Sequence, residues 1–192
     1  MYKNNFSKLL NMEDEKKITI LGTSNRYQIN KLKKEEKLAK IRKASEKIAL
    51  SEEYYLLENQ DLIVNDLRDK TCIFLKNDDR KNVSSQIDKK LSSYKQQDIL
   101  KKRYNELLFI KTEDTIKLLY ESKLQCHYCR EKTFLLYDIV REMNQWTLDR
   151  IDNDIGHNEG NLVISCLACN LKRRRTGKDA FLFTKQLNIV KS

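Results

Sequence analysis

The sequence predicts an α+β protein: a mainly helical N-terminal region followed by a small unit of two strands and a helix stapled by cysteines. Three observations predict it. The 192 residues contain no proline and only four glycines, so little interrupts helix formation. Apolar residues recur at near-helical spacing up to about Leu119. Beyond Ser122, two Cys-x-x-Cys pairs flank a stretch that alternates apolar and polar side chains. Three segments follow: 1–24 as a leader, 25–121 as a helical arm, and 122–192 as the cysteine-stapled domain.

Residues 1–24 show little periodicity, and "KKITILGTS" reads equally as a short strand or a disordered leader. From Asn25 to Leu57 a long charged helix is expected, with Ile29, Leu32, Leu38, Ile41, Ala44 and Ile48 along one side. Within it "KLKKEEKLAKIRKASEK" carries eight basic and three acidic residues, a candidate phosphate-contacting arm. A solvated helix face explains the same run and is the simpler reading. Residues 58–86 are polar, and "KNDDRKNVSSQ" looks like a loop. A second helix should cover Gln86 to Ile110, its apolar face formed by Ile87, Leu91, Tyr94, Leu100, Tyr104, Leu107 and Leu108. A third should open at Thr112, whose hydroxyl can cap it, with Glu113 and Asp114 complementing the positive end. Ile116, Leu118 and Leu119 then face inward.

The chain has a formal charge of +10, and 34% of its residues are charged. That excess fits a polyanionic partner, because lysine and arginine displace counterions from phosphates. It fits a merely soluble basic protein as well. No run of about twenty apolar residues exists to span a bilayer. The start, "MYKNNFSKLLNMEDEKKITI", is too polar for a secretory signal. An intracellular protein is therefore expected, in which spaced cysteines bind metal more often than they form disulfides.

"CHYC" (Cys126, Cys129) and "CLAC" (Cys166, Cys169) can close a tetrahedral zinc (Zn2+) site. Four thiolates leave no open position, so this ion is structural. Such sites contribute about 10–16 kcal/mol of apparent binding energy, as much as a domain's whole stability. A pair of disulfides and a redox dithiol are the competing readings. His127 lies inside the first knuckle and is a bystander while four thiols are available. Cys72 stands alone and reads as a small buried apolar residue.

Between the knuckles lies "WTLDRIDNDIGHNEGNLVISCLACN". "WTLDRID" reads as one strand, "NDIGHNEG" as a loop, "NLVIS" as a second strand, and "CLACNLKRRR" as a helix ended by Gly177. "FLFTKQLNIV" reads as a terminal helix packing back on the domain, and Trp146 as core. Lys172, Arg173, Arg174, Arg175 and Lys178 form a basic helix end that can contact phosphates without reading bases.

These residues resemble the HNH endonucleases, the His-Me-finger or ββα-metal family. The resemblance covers roughly Cys126 to Gly177 and is closest to HNH-like proteins of large DNA viruses and phages. A "Y.QQD" stretch upstream in those proteins resembles "YKQQD" here, Tyr94 to Asp98. The resemblance implies DNA as partner and a catalytic Mg2+ or similar divalent ion, with Asp149 and Asn170 as its ligands. It implies that Asn161 pins the loop. It also implies hydrolysis of a phosphodiester, with a base that deprotonates water. One position departs from the pattern. Arg150 stands where that family places its catalytic histidine, and arginine is not an ordinary general base. It can clamp the phosphate instead. His157, in the glycine-flanked loop, is the replacement base, since imidazole titrates near neutrality. A loop histidine bonding its own turn is the alternative. Asp152 is a second metal or base candidate, or a turn cap. Asp154 is a turn residue.

The expected function is metal-dependent cutting of DNA. The alternative is a catalytically inactive, zinc-stabilised nucleic-acid-binding module, which Arg150 favours. A purely structural protein leaves the cluster of carboxylates and amides unexplained.

Overall fold

The structure, a computed structural model, describes residues 40–41 and 50–187. The leader expected over 1–24 lies outside the described residues, as does the helix expected from Asn25 to residue 49, apart from Lys40 and Ile41. That pair runs extended beside Ile139 and Val140, a pairing no helix could make there. Residues 50–57 are not helix end either, because the chain makes short 3-10 turns at Glu52–Tyr55 and Leu57–Asn59. Tyr54 bends the segment inward: its ring is buried edge-on to Phe74 and its hydroxyl bonds Asp79.

Within the polar stretch 58–86 lies a helix, α1, Gln60–Asp69, and the "KNDDRKNVSSQ" segment expected as loop is helical from Asn77. The inward face of α1 includes polar side chains with complete sets of partners. Gln60 accepts from the Leu135 N–H at 2.5 Å and donates to the Leu136 carbonyl at 3.1 Å. Asp66 accepts from the N–H groups of Phe74 and Leu75, each at 2.7 Å, and from the Thr71 hydroxyl. Wrapping residues 71–75 around Asp66 turns backbone donors inward and leaves the side chains of Cys72 and Ile73 outward, while Leu75 stays in the core. That is why Cys72, expected to be buried, is exposed.

Helix α2, Asn77–Leu100, begins well before the expected Gln86 and ends before Ile110. Asp78 and Asp79 lie in its first turn, where they complement the free N–H groups. Ile87 and Leu91 are buried as expected, but Leu100, Leu107 and Leu108 are exposed because the helix stops at Leu100. The chain then reverses through Lys102 in the left-handed region, and Arg103 N–H returns to the Asp98 carbonyl. Helix α3, Thr112–Glu121, buries Ile116 and Leu119. Its N-cap is Lys111, and the Thr112 hydroxyl bonds Asp88 on α2 rather than capping its own helix.

Strands β1, Trp146–Arg150, and β2, Leu162–Cys166, form an antiparallel hairpin in which Trp146 faces Cys166 and Arg150 faces Leu162. Helix α4, Leu167–Arg173, follows directly, and α5, Lys178–Gln186, folds Phe181 against the cysteines. Helix α4 ends earlier than Gly177 because Arg174 takes a positive φ. Asp152, expected on the Arg150 face of a longer strand, falls in the turn after β1.

One hydrophobic core joins Ile63, Val83, Ile87, Ile110 and Leu119 to Trp146, Leu148 and Ile164. The described residues, 40–41 and 50–187, belong to one compact unit, and the core crosses the boundary expected near Ser122. Among the described residues no helix is long and apolar enough to cross a membrane.

Candidate metal centre and active site

The hairpin and the knuckles bring the four cysteines together. Cys126, Cys129, Cys166 and Cys169 present sulfur atoms that all lie within 4.8 Å of one another, a group that can hold a metal ion such as zinc. Each knuckle is organised by backbone donors. The Cys169 N–H donates to the Cys166 sulfur at 3.3 Å, so Cys166 is also the N-cap of α4. In the first pair, Arg130 N–H closes on the Cys126 carbonyl and Arg130 takes a left-handed φ. A hydrogen bond from the Cys166 thiol, helped by backbone donors, pulls the Cys126 thiol down to about 4. Giving up that bond pushes the Cys166 thiol up, and burial pushes Cys169 up to about 12. Four sulfurs this close cannot all ionise without a cation among them. His127 takes no part in the group, and its Nε2 is buried without a partner.

Strand alternation divides the remaining candidates between two faces. On the α4 face, Asn170 donates to the Thr147 hydroxyl at 3.1 Å, and Arg173 Nη1 lies 2.8 Å from Asp149 Oδ1. The Tyr128 hydroxyl donates to Asp149 Oδ2 at 2.7 Å. Burial and that bond raise the Tyr128 phenol, so it stays a donor. Arg173 also donates to the carbonyls of Arg150 and Ile151 and is 1% exposed. Expected as a phosphate contact, it is instead an internal cation: it lies three residues past Asn170 and so faces the strand. Lys172, Arg174 and Arg175 are exposed, and Lys178 is half-buried.

A divalent ion beside Asp149 is testable against this donor set. A carboxylate offers about four acceptor positions, of which Tyr128 and Arg173 use two. Asn170 commits only its NH₂ group among the described residues. Asp149 and Asn170 therefore retain oxygens for an ion, with the Arg173 guanidinium competing for one of them. Among the described residues no second group of three His, Cys, Asp or Glu side chains converges there.

The α2 face holds the other half. His157 is 3% exposed, and its ring stacks on Tyr94 with centroids 4.5 Å apart. Its Nδ1 lies 2.9 Å from Asp98 Oδ1, its N–H donates to Asp98 Oδ2 at 2.6 Å, and its carbonyl accepts from Ile110. Arg150 Nη1 is 3.6 Å from the same Asp98. Burial lowers the His157 pKa against the pull of Asp98, which keeps the ring neutral near pH 7. No protein partner meets Nε2 among the described residues.

The loop between the strands is tied at several points. Asn161 Oδ1 accepts from Asp152 N–H at 2.8 Å, and its NH₂ reaches the carbonyls of Asp152 and Gly156. Asp152 caps the turn by accepting from Asp154 N–H. Asp154 bridges Arg103 and Arg175, at 3.1 and 3.2 Å. Neither Asp98 nor Arg103 was expected at the site, since both come from far upstream. The one signal for Asp98 was the "YKQQD" stretch, which carried no role. Comparison with protein-family models, curated proteins and solved structures finds no match to this chain.

Proposed function

We propose that this protein is an HNH-type endonuclease that hydrolyses phosphodiester bonds in DNA, with zinc in the four-cysteine centre and an Mg2+-like ion held by Asp149 and Asn170. The observation that supports the reading is the convergence of His157 and Arg150 on Asp98: a fixed imidazole can supply the base that an arginine at the strand end cannot. Nε2 of His157 takes the proton from water, the water oxygen bonds to phosphorus, and the P–O3′ bond breaks with the leaving oxygen taking a proton from solvent. Arg150 remains protonated even though burial lowers its pKa, and it offsets charge on the phosphoryl oxygens. The divalent ion, when bound, supplies further charge stabilisation at phosphate. Lys172, Arg174 and Arg175 present exposed cations that hold the backbone of the nucleic acid without reading its sequence.

Nicking of supercoiled plasmid in Mg2+ tests this. His157→Ala and Asn170→Ala should each abolish nicking while retaining one zinc per chain. Full cutting by both variants rejects the site.

A second reading, a binding module without catalysis, draws on the Arg173–Asp149 pair, which already neutralises the carboxylate. It predicts salt-sensitive DNA binding by gel shift, with no nicking at any divalent concentration.

A further inference from the structure

We propose that Asp98, on α2 and outside the hairpin, is the positioning residue that sets the His157 tautomer and leaves Nε2 as the basic atom. The proposal deepens the nuclease reading and rests on it for its catalytic meaning, though not for its geometry.

Asp98 is fully buried, and its two oxygens face two donors of one residue. Oδ2 accepts from the His157 backbone N–H at 2.6 Å, and Nδ1 lies 2.9 Å from Oδ1 and 3.0 Å from Oδ2. A carboxylate only accepts, so the ring proton lies on Nδ1 and the lone pair on Nε2. Tyr94, one turn earlier on α2, stacks on the ring and holds its plane. Arg150 Nη1 lies 3.6 Å from Asp98 Oδ1, a cation beside the same carboxylate. Lys101, just past the end of α2, is the other cation felt by the ring. Gly156 allows this approach: a Cβ there would lie 3.0 Å from Asp98 Oδ2 and 2.5 Å from the Arg103 carbonyl. Residues upstream of the cysteines thus complete the site rather than merely carrying it.

Asp98→Asn discriminates a positioning role from a packing role. The backbone N–H of His157 can only donate, so the amide oxygen must face it. The amide NH₂ then takes the nearer place, 2.9 Å from Nδ1, where it needs an acceptor, and shifts the ring toward the Nε2–H tautomer although the amide oxygen stays 3.0 Å away. The full zinc-loaded chain is labelled with ¹⁵N, and long-range ¹H–¹⁵N correlation spectra report which ring nitrogen is protonated. The chain has two histidines, so a His127→Gln spectrum assigns them. The wild type should show Nδ1–H at His157 and D98N should show Nε2–H. Plasmid nicking by D98N should fall at least ~100-fold in kcat with KM little changed. An Nε2–H wild type, or a D98N ring unchanged from it, overturns the proposal. Should D98N fail to fold, the wild-type spectrum alone decides the tautomer. If the tautomer switches but the wild type never nicks DNA, the positioning geometry stands and the nuclease reading fails.

Discussion

Arg173 shows how much a single side chain can carry here. It is buried against Asp149 and two strand carbonyls, with its Nε unpartnered. Removing it as Arg173→Ala leaves Asp149 charged and unpaired, and should cost about 3–5 kcal/mol. Urea unfolding of variant and wild type measures it. Gly156 answers to backbone proximity rather than charge. An added methyl would collide with the Arg103 carbonyl, so Gly156→Ala should destabilise by about 1–3 kcal/mol, seen as a lower Tm. His157 gives a pH signature. Burial lowers its folded pKa below 6.5, so the unfolded chain binds the proton more readily. The resulting stability is present above pH 6.5 and is lost as pH falls below it. His127, also lowered by burial, acts in the same direction. His157→Gln should therefore flatten, without abolishing, the decline in urea midpoint between pH 7 and pH 5.

At the scale of elements, helix α2 is the platform on which the hairpin rests. Lys90 bonds the Trp146 carbonyl, the Tyr94 hydroxyl accepts from Leu148 N–H at 3.2 Å, and Asp98 holds His157. Tyr94→Phe removes the acceptor for a strand N–H and should cost about 1–3 kcal/mol, together with faster amide exchange at Leu148. The hairpin and α4 were legible in the sequence because period-two alternation and knuckle spacing are local signals. Helix α1 was not. Its burial includes Gln60 and Asp66, whose partners lie outside the helix, so the segment read only as polar. The first turns of α2 misled for a similar reason, being solvated and stabilised by acidic residues at the helix start. The Asp98–His157 pair spans 59 residues, and no local pattern announces it. Arg173 hid among four other basic residues, although its spacing from Asn170 placed it on the inner face.

For the whole molecule, the continuous core means that hairpin and helices stand or fall together. Trp146 is the chain's sole tryptophan and is buried in that core. With zinc in the four-cysteine centre, as proposed above, stripping it with a strong chelator should expose Trp146, shifting its emission to the red and lowering the Tm in one transition. The excised segment 122–187 lacks Ile63, Ile87, Leu91 and Ile110, which cover Trp146 and Leu148. Even with zinc it should give a poorly dispersed ¹H–¹⁵N spectrum. Tyr128 adds a mechanical link inside this unit. It is the third residue of the first knuckle, and it grips the same carboxylate that Arg173 neutralises. Oxidants that attack the sulfur cage would disturb the loop that carries Tyr128 and so slacken that grip, tying the redox state of the cysteines to the setting of Asp149 through one phenol.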